Sequence, residues 1–87
     1  MEIRIYMQQT PVDEAIPRFY QLWLQQDLLG GWTLIREWGP TGASGRTRRE
    51  NFASLEAAQN AMMEIRDAQM RKGFRVVFTQ GARPDEI

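Results

Sequence analysis

An α+β fold, a mainly antiparallel sheet packed on one long helix, is predicted by three features of this 87-residue chain. Segments before residue 53 alternate apolar and polar side chains with a period of two, as half-buried strands do. A later segment of about nineteen residues repeats its apolar positions at helical spacing. The links between the alternating segments are too short for parallel crossovers, so neighbouring strands must run antiparallel. A chain of this length supports one core. One domain is therefore expected over residues 1–80 in the order β-β-β-β-α-β, with 81–87 as a flexible tail.

The first strand covers residues 2–8, with Ile3, Ile5 and Met7 on one face and Glu2, Arg4 and Gln8 on the other. Tyr6 breaks the alternation. Residues 10–17, "TPVDEAIP", contain two prolines and two acids and read as a connection with room for one short helical turn. In the second strand, residues 18–26, Tyr20, Leu22 and Leu24 oppose Phe19, Gln21, Trp23 and Gln25. "DLLGG" then turns the chain, its glycines free to take positive φ. The third strand, residues 32–38, puts Trp32, Leu34, Arg36 and Trp38 on one side and Thr33, Ile35 and Glu37 on the other. A loop over 39–45 leads to a fourth strand, "GRTRRENF", which must return antiparallel to the third.

Ser54 is the expected helix N-cap, Glu56 lies in the positive first turn, and Arg71 and Lys72 precede Gly73 at the other end. Leu55, Ala58, Met62, Ile65 and Ala68 or Gln69 form the apolar stripe. Leu22, Leu24, Leu55, Met62 and Ile65 should meet in the core. "FRVVF", residues 74–78, is apolar and β-branched enough for a last strand, and "GARPDEI" reads as a loose end.

Composition narrows the function. With neither cysteine nor histidine, the chain lacks thiolate and imidazole ligands and the commonest general base. No catalytic residue, metal site or cofactor is expected, and an enzyme is the least favoured class. Glu64 and Asp67 sit at i, i+3, but Arg66 and Arg71 beside them make a solvated face the better reading. Met62, Met63 and Met70 read as adaptable packing residues. The charged start and the lack of a long apolar run predict a cytoplasmic protein with no membrane partner.

Net charge is zero, but its distribution is uneven. Between Gly31 and Arg49, the arginines Arg36, Arg46, Arg48 and Arg49 stand against Glu37 alone. The glycines at 42 and 45 with Arg46-Thr47 partly match a phosphate loop, G-x-x-x-x-G-K-[ST]. That motif fails: Pro40 occupies its first glycine, Arg46 replaces its lysine, and a strand follows where the mechanism needs a helix N-terminus. A hairpin remains. It brings Arg46 and Arg48 beside Arg36 and Trp38 if the register is aligned, and guanidiniums around an indole form a surface for phosphate and base. The alternative is a solvated strand face neutralised by Glu37 and Glu50.

Over nearly its whole length the chain resembles the WGR domain, on Tyr20, Gly31-Trp32, Trp38-Gly39, Gly45 and the helix end Lys72-Gly73-Phe74. "RIYMQQ" and "RFYQLWLQ" are similar to small bacterial proteins made of one such domain. The resemblance implies an antiparallel sheet on one helix and nucleic-acid binding. In the DNA-dependent poly(ADP-ribose) polymerases this domain contacts the end of broken DNA, the family tryptophan stacking against the terminal nucleotide. Trp38 matches that tryptophan, and Arg48 falls where a basic residue touches backbone phosphate. Pro40 stands where the family signature has arginine. The expected site is therefore Arg36, Trp38, Gly39, Arg46, Arg48 and Arg49, acting weakly and without sequence preference on DNA or RNA. The competing expectation is a protein-interaction or regulatory module, self-associating through a sheet edge or through exposed Phe19 and Trp23.

Overall fold

The computed structural model describes residues 2–10, 13 and 16–81. Its elements follow the expected order: β1 (Glu2–Gln9), β2 (Arg18–Gln26), β3 (Trp32–Pro40), β4 (Arg46–Phe52), α1 (Leu55–Arg71) and β5 (Arg75–Gln80). The strands form one five-stranded sheet in the order β4-β3-β2-β1-β5, antiparallel at every junction. The fold is therefore α+β as predicted. Because β4 and β5 are opposite edges, α1 carries the chain across one whole face of the sheet. The helical turn expected within 10–17 falls mostly outside the described residues, as do residues 82–87 of the expected tail.

Apolar alternation decides which face the helix covers. Ile3, Ile5 and Met7 of β1, Tyr20, Leu22 and Leu24 of β2, and Leu34 of β3 are buried against Ala58 and Met62 of α1. Leu55 and Ile65 pack at the margin of this core, half-buried. The helix begins where expected, with Ser54 Oγ accepting from the Ala57 N–H at 3.1 Å. It ends after 17 residues, sooner than the expected nineteen or so. Phe74 N–H donates to Gln69 O at 3.0 Å, so Phe74 belongs to the helix cap, and the last strand starts one residue later than predicted.

The third strand outruns its prediction, through Gly39 and Pro40, because β2 still offers partners: Phe19 faces Gly39 and Arg18 faces Pro40. Thr41 N–H donates to Pro17 O at 2.9 Å, the pattern that leaves Arg18 and Pro40 a pair without mutual hydrogen bonds. Position 40 therefore aims its missing N–H away from β2, toward the side where β4 pairing has already ended at Trp38 and Arg46. Proline costs the sheet nothing there.

The face away from the helix carries an aromatic layer of its own. Tyr6, the break in the first strand's alternation, stacks on Phe19 (centroids 6.3 Å, interplanar angle 7°) and on Phe78 (5.3 Å, 12°). Phe19 and Trp23, expected as exposed aromatics, are both half-buried in this layer. The Arg4 guanidinium lies 5.5 Å from the Trp23 ring and 5.8 Å from the Phe78 ring, and its Nε donates to Gln21 Oε1 at 2.6 Å.

Candidate nucleic-acid interface

The helix leaves one corner of its face bare. It starts just after Phe52, at the end of β4 that pairs with Trp32, and finishes on the opposite side of the sheet, where Gln9 Nε2 donates to Lys72 O at 2.6 Å. A helix on that diagonal covers the Trp32 end of β3 and uncovers the Trp38 end. Opposed residues on antiparallel strands share a face. Arg36 pairs with Arg48, Trp38 with Arg46, and Tyr20 with Trp38, so all of them project into this corner.

The aromatic side chains form its floor. Trp38 stacks on Tyr20 (centroids 5.7 Å, 14°), and Phe74 meets Tyr20 edge-on (5.9 Å, 71°). A cavity of about 480 Å³ opens above them, bordered by Arg18, Arg36, Arg48 and Lys72 with no acidic residue in its lining. A second, of about 390 Å³, is lined by Arg18, Trp38, Gly39, Pro40, Ser44 and Arg46. Trp38 lines both.

Electrostatics separate this corner from an ordinary charged surface. Among the described residues the ion pair is Arg66 with Asp67, out on the helix. Arg36 Nη1 reaches Tyr20 Oη at 3.5 Å, and among the described residues no carboxylate lies within ion-pair distance of the cavity's cations. Glu37 points to the other face, where Gln21 Nε2 donates to it at 3.3 Å; Glu50, opposite Leu34, shares the face of Arg48 two residues further along β4 but makes no ion pair with it. Like charges gathered over apolar rings concentrate a positive potential that attracts phosphate or carboxylate.

The hairpin that sets the register depends on close approach. A Cβ on Gly45 would lie 2.7 Å from Trp38 O and 2.9 Å from Phe19 Cζ, so only glycine lets β4 start against Trp38. Gly42 supplies the turn's positive φ of 85°.

Of the residues expected at the site, Arg36, Trp38, Gly39, Arg46 and Arg48 come together. Arg49 does not: it opposes Ile35, and alternation along β4 sends it to the other face. Arg18 and Lys72 join the cluster unforeseen. Counting back along both strands from the Asp27–Gly31 turn would have set Arg18 opposite Pro40; nothing local in the sequence places Lys72. Among the described residues there is no grouping of His, Cys, Asp or Glu able to hold a metal ion, and no helix long and apolar enough to cross a membrane.

These features define a small α+β module with an aromatic-floored, cation-bordered corner. The chain belongs to the WGR domain family, a class of nucleic-acid-binding type, whose family model matches residues 3–80. It is also similar to an uncharacterised protein of Sinorhizobium fredii, y4dW, being 24% identical over 72 residues, 83% of this chain and 35% of that protein. The chain thus spans about a third of that relative's length.

Proposed function

We propose that this domain binds DNA or RNA through the corner around Trp38, weakly and without sequence preference, acting as a binding module and not as an enzyme. The observation that carries this reading is the set of cations, Arg18, Arg36, Arg46, Arg48 and Lys72, gathered around one indole with no ion-paired carboxylate among the described residues. Phosphates sit on the guanidiniums while a base or ribose lies against the ring. Membership of the WGR family supports the same reading. Cations that engage phosphate oxygens position a strand without reading its sequence, which is the ground for expecting no sequence preference.

The salt dependence of binding tests this. Each phosphate neutralised contributes roughly 0.7 to 0.9 to the slope of log affinity against log salt. Replacing Arg46 and Arg48 together by alanine should flatten the slope by about 1.4 to 1.8. Fluorescence anisotropy with labelled single- and double-stranded oligonucleotides, over a salt series, measures it. Absence of binding at low salt to every such oligonucleotide would defeat the proposal.

A further inference from the structure

The larger cavity around Trp38 is a walled recess, and its walls set what can reach the rings. On one side the sheet steps up to the end of α1, and a helix with its side chains is roughly 10 Å thick. That end is pinned. Gln9 Nε2 donates to Lys72 O, Phe74 N–H donates to Gln69 O, and the Phe74 ring meets Tyr20 edge-on. Gly73 turns the chain there with a φ of 100°, and a Cβ on it would lie 2.8 Å from Gln9 Nε2. Arg18, Arg36 and Arg48 border the recess from three neighbouring strands, β2, β3 and β4.

We propose that this recess takes one unpaired nucleotide from within a single strand, in preference to a duplex or a duplex end. The preference rests on the corner binding nucleic acid, and it names the form that the corner selects. Size favours one nucleotide. At about 480 Å³ the cavity falls in the lower half of the range, roughly 300–1,000 Å³, that encloses one drug-sized ligand. A base with its sugar and phosphate is of that size; a base pair with two backbones is larger. Access favours a single strand. Within a duplex the neighbouring pairs cover each base's faces and only its edges line the grooves, so a base reaches Trp38 only by leaving the stack. An unpaired strand has no pairs to break. The last pair of a duplex does expose a face, but its second strand would have to share a recess sized for one nucleotide.

Charge works in the opposite direction, which separates the two contributions. Duplex DNA releases more counterions per phosphate contact than a single strand, about 0.9 against 0.7, so cations acting alone would favour the duplex. A preference for the single strand must come from the rings.

Anisotropy at low salt, with labelled probes of equal phosphate number, tests this. The probes are a covalently closed single-stranded circle of low-pairing sequence, the same circle built of abasic sugar phosphates, a duplex closed by a loop at each end, and an open blunt duplex. The base-bearing circle should bind at least about fivefold more tightly than any of the others, the smallest factor that one stacked base contributes. Trp38→Ala should erase that margin. A smaller or reversed margin over either duplex overturns the preference while leaving nucleic-acid binding in place, and tightest binding by the blunt duplex would mark an end-binding site instead. An abasic circle that binds as well as the base-bearing one also overturns it, as does a folded Trp38→Ala variant that keeps the margin. If no probe binds, the preference falls together with the nucleic-acid reading. If Trp38→Ala fails to fold, the four probes on the parent chain decide.

Discussion

Both faces of the sheet combine arginine with aromatic rings, and they use them in opposite ways. On the face away from the helix, Arg4 has Gln21 as an acceptor and two rings beside it, while Tyr6 is flanked by Phe19 and Phe78. In the corner on the helix side, the rings stack as a floor but the surrounding guanidiniums find no carboxylate among the described residues. Residue type therefore does not separate structural from functional arginine here. What separates them is whether the folded chain already supplies the partner.

The largest test removes the layer on which both faces depend. Met62 is fully buried between helix and sheet, and aspartate there would be an unpaired buried charge. Met62→Asp should cost about 3 kcal/mol or more, read as a fall in thermal or denaturant midpoint. An unchanged midpoint would mean that this helix face is not the packed one. Trp38→Ala comes next and touches one face only. Loss of the stacking surface should weaken oligonucleotide binding by about 1–3 kcal/mol while leaving the salt slope nearly constant, since stacking releases few counterions.

A smaller pair of changes should cross over. Arg4→Ala removes a hydrogen bond and its ring contacts, and should lower stability by about 1 kcal/mol with binding unaffected. Arg48→Ala, exposed and without an ion pair among the described residues, should leave stability within about 0.5 kcal/mol and flatten the salt slope by about 0.7 to 0.9. Chemical denaturation and anisotropy on the same two variants would expose any overlap. If both arginines moved both quantities alike, the contrast between the faces would be lost.

Periodicity made the elements legible, and the second strand has the predicted bounds of Arg18 to Gln26. Gly39-Pro40 is a turn signal that shortens the third strand as the sequence presents it, yet β2 continues beside it and holds the backbone extended. The position of β1 between β2 and β5 is a long-range choice with no local signal. The site divided in the same way. Trp38, Arg36, Arg46 and Arg48 were legible because a hairpin fixes their register, and that same register excludes Arg49. The corner itself was not legible, since it exists only because α1 crosses the sheet diagonally and brings Lys72 and Phe74 to the edge of the cavity.

The finest test concerns Pro40, which stands where the family signature has arginine. Proline is not required by the backbone: the Thr41 to Pro17 bond shows that the N–H of residue 40 would aim away from β2, to a side where β4 no longer pairs. Pro40→Arg should therefore fold with stability within about 0.5 kcal/mol of the parent. Its side chain would extend from the lining of the second cavity, beside Arg18, Arg46 and Trp38. One added phosphate contact should steepen the salt slope by about 0.7 to 0.9 and raise affinity at low salt. The comparison with Arg4 sharpens this, because an arginine placed among unanswered cations gains a partner only from a ligand. Tighter binding by Pro40→Arg, lost again when Trp38 is also replaced by alanine, would place the strand's path across the second cavity. No gain in affinity, with the Arg48→Ala effect intact, would confine the nucleic acid to the larger cavity on the helix side of Trp38.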